Sequence, residues 1–156
     1  MIVLAVAGIF FLTFISCFSP VAGGITNDEI ATHLSVPKDW LSHHKICLLP
    51  YSVSHLAGYI ELLFLWFMAF APGYGPKLFT WTCFIFCAIL AYSFSKGKVP
   101  RRYAAFGAVF FIINPLVFRE ACSAFIDLPS ALFNFLAFWS LLRHGDTQNN
   151  KYLLLS

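Results

Sequence analysis

Charge is scarce in this chain of 156 residues: only 11% are Asp, Glu, Lys or Arg, and none of these occurs before Asp28. A water-soluble domain of this size needs more polar surface than that to cover its core, so the composition points away from a soluble globular fold. The few basic residues lie between apolar runs and leave a formal net charge of +3, which makes no footprint for nucleic acid. The five cysteines, at 17, 47, 83, 87 and 122, form no CxxC pair and no metal-finger spacing; most lie in apolar stretches and read as buried free thiols. The histidines at 33, 43, 44 and 55 match no zinc-ligand pattern. P-loop, GxGxxG and GxSxG motifs are missing, which removes the nucleotide-cofactor and serine-hydrolase readings those motifs support. No solenoid period or low-complexity tract appears.

What the chain does have is apolar bulk: 60% of residues are hydrophobic and 19% aromatic, with 19 Phe and 4 Trp, and the mean hydropathy is +0.78. The expected fold is all-α, a polytopic transmembrane helical bundle of about four spanning helices with one outer juxtamembrane helix. Residues 1–20 supply the first span, ending at Ser19-Pro20; the absence of a basic start favours an uncleaved anchor over a signal peptide, although Val21-Ala22-Gly23 resembles a weak cleavage site. Residues 21–55 form the one substantial polar loop. Apolar segments follow at 56–72, 78–95, 103–125 and 128–143, divided by Pro72-Gly-Tyr-Gly-Pro76, by Lys96-Gly-Lys-Val-Pro-Arg-Arg102 and by the stretch from Arg119 to Asp127.

The basic cluster Lys96, Lys98, Arg101 and Arg102 belongs on the cytoplasmic side by the positive-inside rule. The segment 78–95 then runs inward, 103–125 runs outward, and 128–143 returns to Arg143 and His144 inside. Asp127 emerges at the outer face. If 56–72 lies in the outer interface, Asp28 shares that face; if it spans, the two acids are separated by the membrane. Glu61, His55, Tyr59, Trp66 and Tyr74 suit the interfacial arrangement.

Two acidic stretches carry what chemistry the sequence offers. Thr26-Asn-Asp-Glu29 has capping-box spacing, so Glu29 has a structural reading beside a functional one, while Asp28 in the first helical turn is kept ionised, as a general base or cation ligand requires. Asp127, just ahead of Leu-Pro-Ser, reads both as a helix N-cap and as a carboxylate between two apolar helices, where function is the default. Arg119 and Glu120 lie about two turns earlier and face the same cavity if that segment is helical.

Three stretches together resemble the GT-C superfamily of polytopic membrane glycosyltransferases, in particular the bacterial branch related to protein O-mannosyltransferases and lipid A aminoarabinose transferases. Asp28-Glu-Ile-Ala-Thr-His-Leu-Ser-Val-Pro-Lys-Asp-Trp-Leu41 is similar to that family's first outer loop. Leu49-Pro-Tyr-Ser-Val-Ser-His-Leu-Ala-Gly-Tyr-Ile-Glu-Leu-Leu63 is similar to its juxtamembrane helix, and Asn114 to Phe133, with Ser-Ala-Phe-Ile-Asp127-Leu, to its Asp-Leu segment between two helices.

The resemblance implies transfer of a sugar from a polyprenyl-phosphate donor to a lipid, glycan or protein acceptor at the outer membrane face. Asp28 would be the catalytic base and Glu29 the second carboxylate. His33, Lys38, Glu61, Arg119 and Asp127 would contact substrate, and Asp28 with Asp127 would hold a divalent cation, magnesium or manganese, if one is used. The expected location is the bacterial cytoplasmic membrane, or the endoplasmic reticulum membrane in a eukaryote. Family members are several times longer, so the chain is expected to be an N-terminal portion, inactive by itself. A non-catalytic membrane subunit or scaffold is the alternative, with a transporter part behind it, since no helix is charged at its middle.

Overall fold

The computed structural model describes residues 2–20, 29–50 and 58–147, and all regular structure among them is helical. In chain order there are α1 (Ile2–Ser16), a π-helical turn (Glu29–Leu34), α2 (Ser35–His43), α3 (Tyr59–Phe70), α4 (Gly75–Ser95), α5 (Arg101–Ile112), α6 (Pro115–Ala121) and α7 (Asp127–Thr147).

α4 is the axis of the fold. Its 21 residues make a helix about 31 Å long, close to the thickness of a bilayer's hydrocarbon core. Among the described residues it is the one helix long and apolar enough to cross a membrane alone. α5 and α6 meet the same criterion jointly, but as a pair bent by 64°. Here the structure departs from the single helix expected over 103–125. Pro115 has no amide proton to continue α5, and the residue before a proline avoids helical geometry. Asn114 is accordingly extended, and its side-chain oxygen takes the Leu116 N–H at 2.9 Å, capping a new helix. α1 and α3 are shorter apolar helices, and the 12 residues of α3 reach only about 18 Å.

α5, α6 and α7 pack on α4 through Phe84, Ala88, Ile112, Ala121 and Leu128, with Phe10 and Ile9 of α1 against the same cluster. α1 is also pinned by a polar contact: the Trp81 indole N–H donates to Thr13 Oγ1 at 3.1 Å, while that hydroxyl donates to the Ile9 carbonyl at 2.9 Å. Both groups are thereby satisfied away from water. At the other side α3 folds back on α4 at Gly75, whose Cα lies so near Phe67 that a Cβ would collide with the Phe67 carbonyl. No larger residue allows that approach.

The outward faces are as apolar as the inward ones. Leu4, Phe70, Trp66, Phe106 and Phe110 each expose 66% or more of their surface. The helix expected to follow Thr26 in the polar loop takes the form of the π-helical turn from Glu29 and then α2. α2 packs Val36 and Trp40 against Leu49, the Trp40 indole N–H donates to the Cys47 carbonyl at 2.7 Å, and the helix stops at His44 in the left-handed conformation (φ 51°). The five cysteines are all unpaired.

Candidate functional site

At the N-terminal end of α4 four chain segments meet, and their polar atoms join them. Glu29 opens the π-helical turn and is only 2% exposed. Its Oε1 accepts the Ala124 N–H at 2.8 Å, tying the polar loop to the turn between α6 and α7. Ala124 would otherwise be a buried donor without a helical partner, at a place where backbone amides are costly to leave unpaired. From α4, the Thr80 hydroxyl is shared between the Pro76 carbonyl of its own helix at 3.2 Å and the Phe125 carbonyl of this turn at 3.4 Å.

One turn after Glu29, His33 reaches α3. Its Nδ1 donates to Glu61 Oε1 at 3.0 Å, a direction fixed by the acceptor-only chemistry of a carboxylate. Glu61 Oε2 accepts the Gly58 N–H at 2.9 Å, so this one carboxylate closes the first turn of α3 and binds the polar loop to it. Burial pushes the Glu61 carboxyl upward, but the hydrogen bonds from His33 and from the amides of residues 61 and 58 outweigh it and hold the group below its ordinary range. With Nδ1 engaged, His33 Nε2 remains as its second polar atom. The ring stands edge-on to Phe125, centroids 6.2 Å apart, and the Arg119 guanidinium lies over the Phe125 ring, 5.4 Å from its centre.

Glu120 and Asp127 form a second acidic pair beside these. Asp127 is the exposed first residue of α7, and Glu120 interacts with it while feeling the charges of Arg119 and His33. Glu120 Oε2 is enclosed and has no hydrogen-bond partner among the described residues.

Of the residues expected to act, the structure gathers Glu29, His33, Glu61, Arg119 and Asp127 at one end of the bundle. Asp28 lies outside the described residues, as does Thr26, the other half of the expected capping box. Glu29 turns one carboxylate oxygen to Ala124, a role no local motif announces. Lys38 stands apart on α2, where it lines a cavity of about 700 Å³ with Leu34, Ser35, Asp39, Met68 and Pro72. For the expected divalent cation, no group of three His, Cys, Asp or Glu side chains is close enough to share an ion among the described residues; Glu120 and Asp127 are the one carboxylate pair described at this end.

Sequence reasoning missed Lys77. Only 4% exposed, it donates from Nζ to the Ser19 carbonyl at 3.0 Å, and the Cys17 thiol lies against its backbone carbonyl at 3.7 Å. It thus holds the end of α1 to the start of α4. The available signal was a single lysine directly after Pro76 and before an unbroken apolar run, where an ionisable residue is costly enough to need a reason.

Comparison with family models, with curated proteins and with solved structures finds no match to this chain.

Proposed function

We propose that this chain is a multi-pass integral membrane protein whose acidic end takes part in transferring a sugar from a polyprenyl-phosphate donor to an acceptor hydroxyl on the outer face. α1, α4, the bent pair α5–α6 and α7 are its spans, and α3 lies along the outer interface. The observation that carries this reading is the convergence of three distant stretches, around Glu29–His33, Glu61 and Arg119–Asp127, at the end of α4 opposite to Lys96, Lys98, Arg101 and Arg102. These are the stretches in which the sequence resembles the GT-C glycosyltransferases. The opposition of charges accords with a cytoplasmic basic end, and the exposed aromatic and aliphatic surface accords with lipid as its solvent.

In this reading Asp28 takes the acceptor hydroxyl's proton as its oxygen attacks the anomeric carbon, and the bond to the lipid phosphate breaks with its electron pair leaving on the phosphate. Cationic groups near that phosphate stabilise the charge it gains. Arg119 and the buried Lys77 are the cations at this end. A divalent ion held by Asp28 and Asp127 would add to the same stabilisation.

Single cysteines at 28, 98 and 127 in a cysteine-free background test the arrangement. Labelling of 28 and 127 from outside, and of 98 only after permeabilisation, is expected; 28 and 127 on opposite sides would defeat it. In membranes holding the full-length protein, Asp28→Asn is expected to abolish release of labelled sugar from the donor while leaving protein abundance unchanged.

A second reading has its own support. Glu29 and Glu61 are both engaged in hydrogen bonds that fasten helices together, which is what a non-catalytic membrane subunit or scaffold would need. That reading requires Asp28→Asn and Asp127→Asn to leave sugar transfer unchanged.

A further inference from the structure

The opposite end of the bundle holds a cavity that the sugar-transfer reading does not use. It measures about 400 Å³ and lies between the C-terminal turns of α4 and α7, lined by Phe94, Gly97, Lys98, Trp139, Arg143 and Asp146 among others. Its walls are aromatic: Phe94 packs edge-on to Phe135 and Trp139 at centroid separations of 5.4 and 6.4 Å. Its mouth is basic. Lys98 Nζ sits 4.0 Å from the centre of the Phe94 ring, close enough for the ring to position it, and the Arg143 guanidinium lies 6.0 Å from that of Trp139, at the outer limit of such a contact. Rings take up none of their N–H donors, and among the described residues neither side chain has a carboxylate within ion-pair distance. Lys96, Arg101 and Arg102 surround the same end, the first and last also beside rings, Tyr92 and Tyr103.

The charge balance decides what the cavity attracts. Five cations, Lys96, Lys98, Arg101, Arg102 and Arg143, face one described carboxylate at this end, Asp146. The C-termini of α4 and α7 add roughly half a negative charge each, which leaves the end strongly positive. Unused donors, an aromatic wall beside them and net positive charge together suit a phosphate whose attached chains lie along apolar helices.

We propose that this cavity binds the phosphate of an anionic phospholipid headgroup on the cytoplasmic side, with Lys98 and Arg143 as its donors and Trp139 beside the glycerol region. The inference rests on the membrane reading above but not on sugar transfer. Asp146 opposes the ligand and sets an upper limit on affinity.

Native mass spectrometry of the full-length protein in neutral detergent, offered equal amounts of phosphatidylglycerol and phosphatidylcholine, tests it. Phosphatidylglycerol adducts are expected to dominate, to fall roughly five-fold for each of Lys98→Gln and Arg143→Gln, and to rise with Asp146→Asn. Lys45→Gln, a cation removed from the polar loop, is expected to change nothing. Equal retention of both lipids, or retention unaffected by the double variant Lys98→Gln/Arg143→Gln, would overturn the site. A separate arm adds inorganic phosphate at the lipid's concentration: loss of the lipid adducts there would assign the cavity to free phosphate and overturn the headgroup. Carbonate washing of the source membranes separates the two levels of inference. Protein that stays in the washed membranes yet shows no lipid preference defeats this site alone, whereas protein that washes off defeats the membrane reading beneath it.

Discussion

The two ends of α4 handle charge in opposite ways. At its N-terminal end the acids Glu29 and Glu61 are buried and engaged by amides and by His33; at its C-terminal end the cations are exposed, Lys96 and Lys98 among them lying over rings. A buried carboxylate is tolerable only when nearly every lone pair it turns inward has a donor, so each contact there is demanding in geometry. An exposed cation retains its hydration and contributes little to the stability of the fold. The acidic end therefore belongs to the tertiary structure, and the basic end to the distribution of charge.

That contrast can be broken most directly at Glu29. Glu29→Ala leaves the Ala124 N–H buried without its acceptor and is expected to cost about 2–3 kcal/mol, measured by unfolding of the purified protein in detergent. Glu29→Gln keeps an acceptor of the same shape and should recover more than half of that loss. If Glu29→Ala were no worse than removing an exposed lysine, the acidic end would not be the structural joint described here.

Gly75→Ala comes next, because the new methyl meets the Phe67 backbone and not a yielding side chain. A loss of about 2 kcal/mol is expected by the same unfolding measurement. A double-mutant cycle on His33→Ala and Glu61→Gln should then give a coupling of about 1 kcal/mol. Its pH dependence has a definite sign. Glu61's carboxyl is held below its ordinary value of 4.5 in the folded chain, so the folded state binds its proton less readily than the unfolded state. The stabilisation is complete above about pH 4.5 and is lost as the pH falls through the lower folded value. Glu61→Gln should remove that acid-induced loss.

The smallest effect sharpens the contrast from the other side. Lys96→Gln is expected to change stability by less than about 0.5 kcal/mol, since Lys96 is exposed and its ring contact with Tyr92 is long at 5.7 Å.

The helical content was open to reading from the sequence because it rests on apolar run length, which is local. The expected segments 78–95 and 128–143 lie within α4 and α7, and 56–72 contains α3. The break at Asn114-Pro115 was visible as a dipeptide but was hidden by apolar residues on both sides, since hydropathy does not register a missing amide proton. The extent of α2 was hidden for the converse reason: the capping-box spacing at 26–29 signals a helix start, but a nine-residue helix in a polar loop shows no long apolar run, and its packing comes from Trp40 meeting Leu49 and the Cys47 carbonyl. For the site, residue types and charge were legible while partners were not. Nothing near Glu29 in sequence points to the amide of Ala124, and nothing near Lys77 points to the Ser19 carbonyl it meets.

The bond between Glu29 and Ala124 also orders events in time. It joins residues 95 positions apart, so it can close only after α4, α5 and α6 have been made. Contacts of such long sequence separation close late. Until then Glu29 stays hydrated, and its disappearance from solvent marks the moment at which the turn between α6 and α7 has reached its final neighbour.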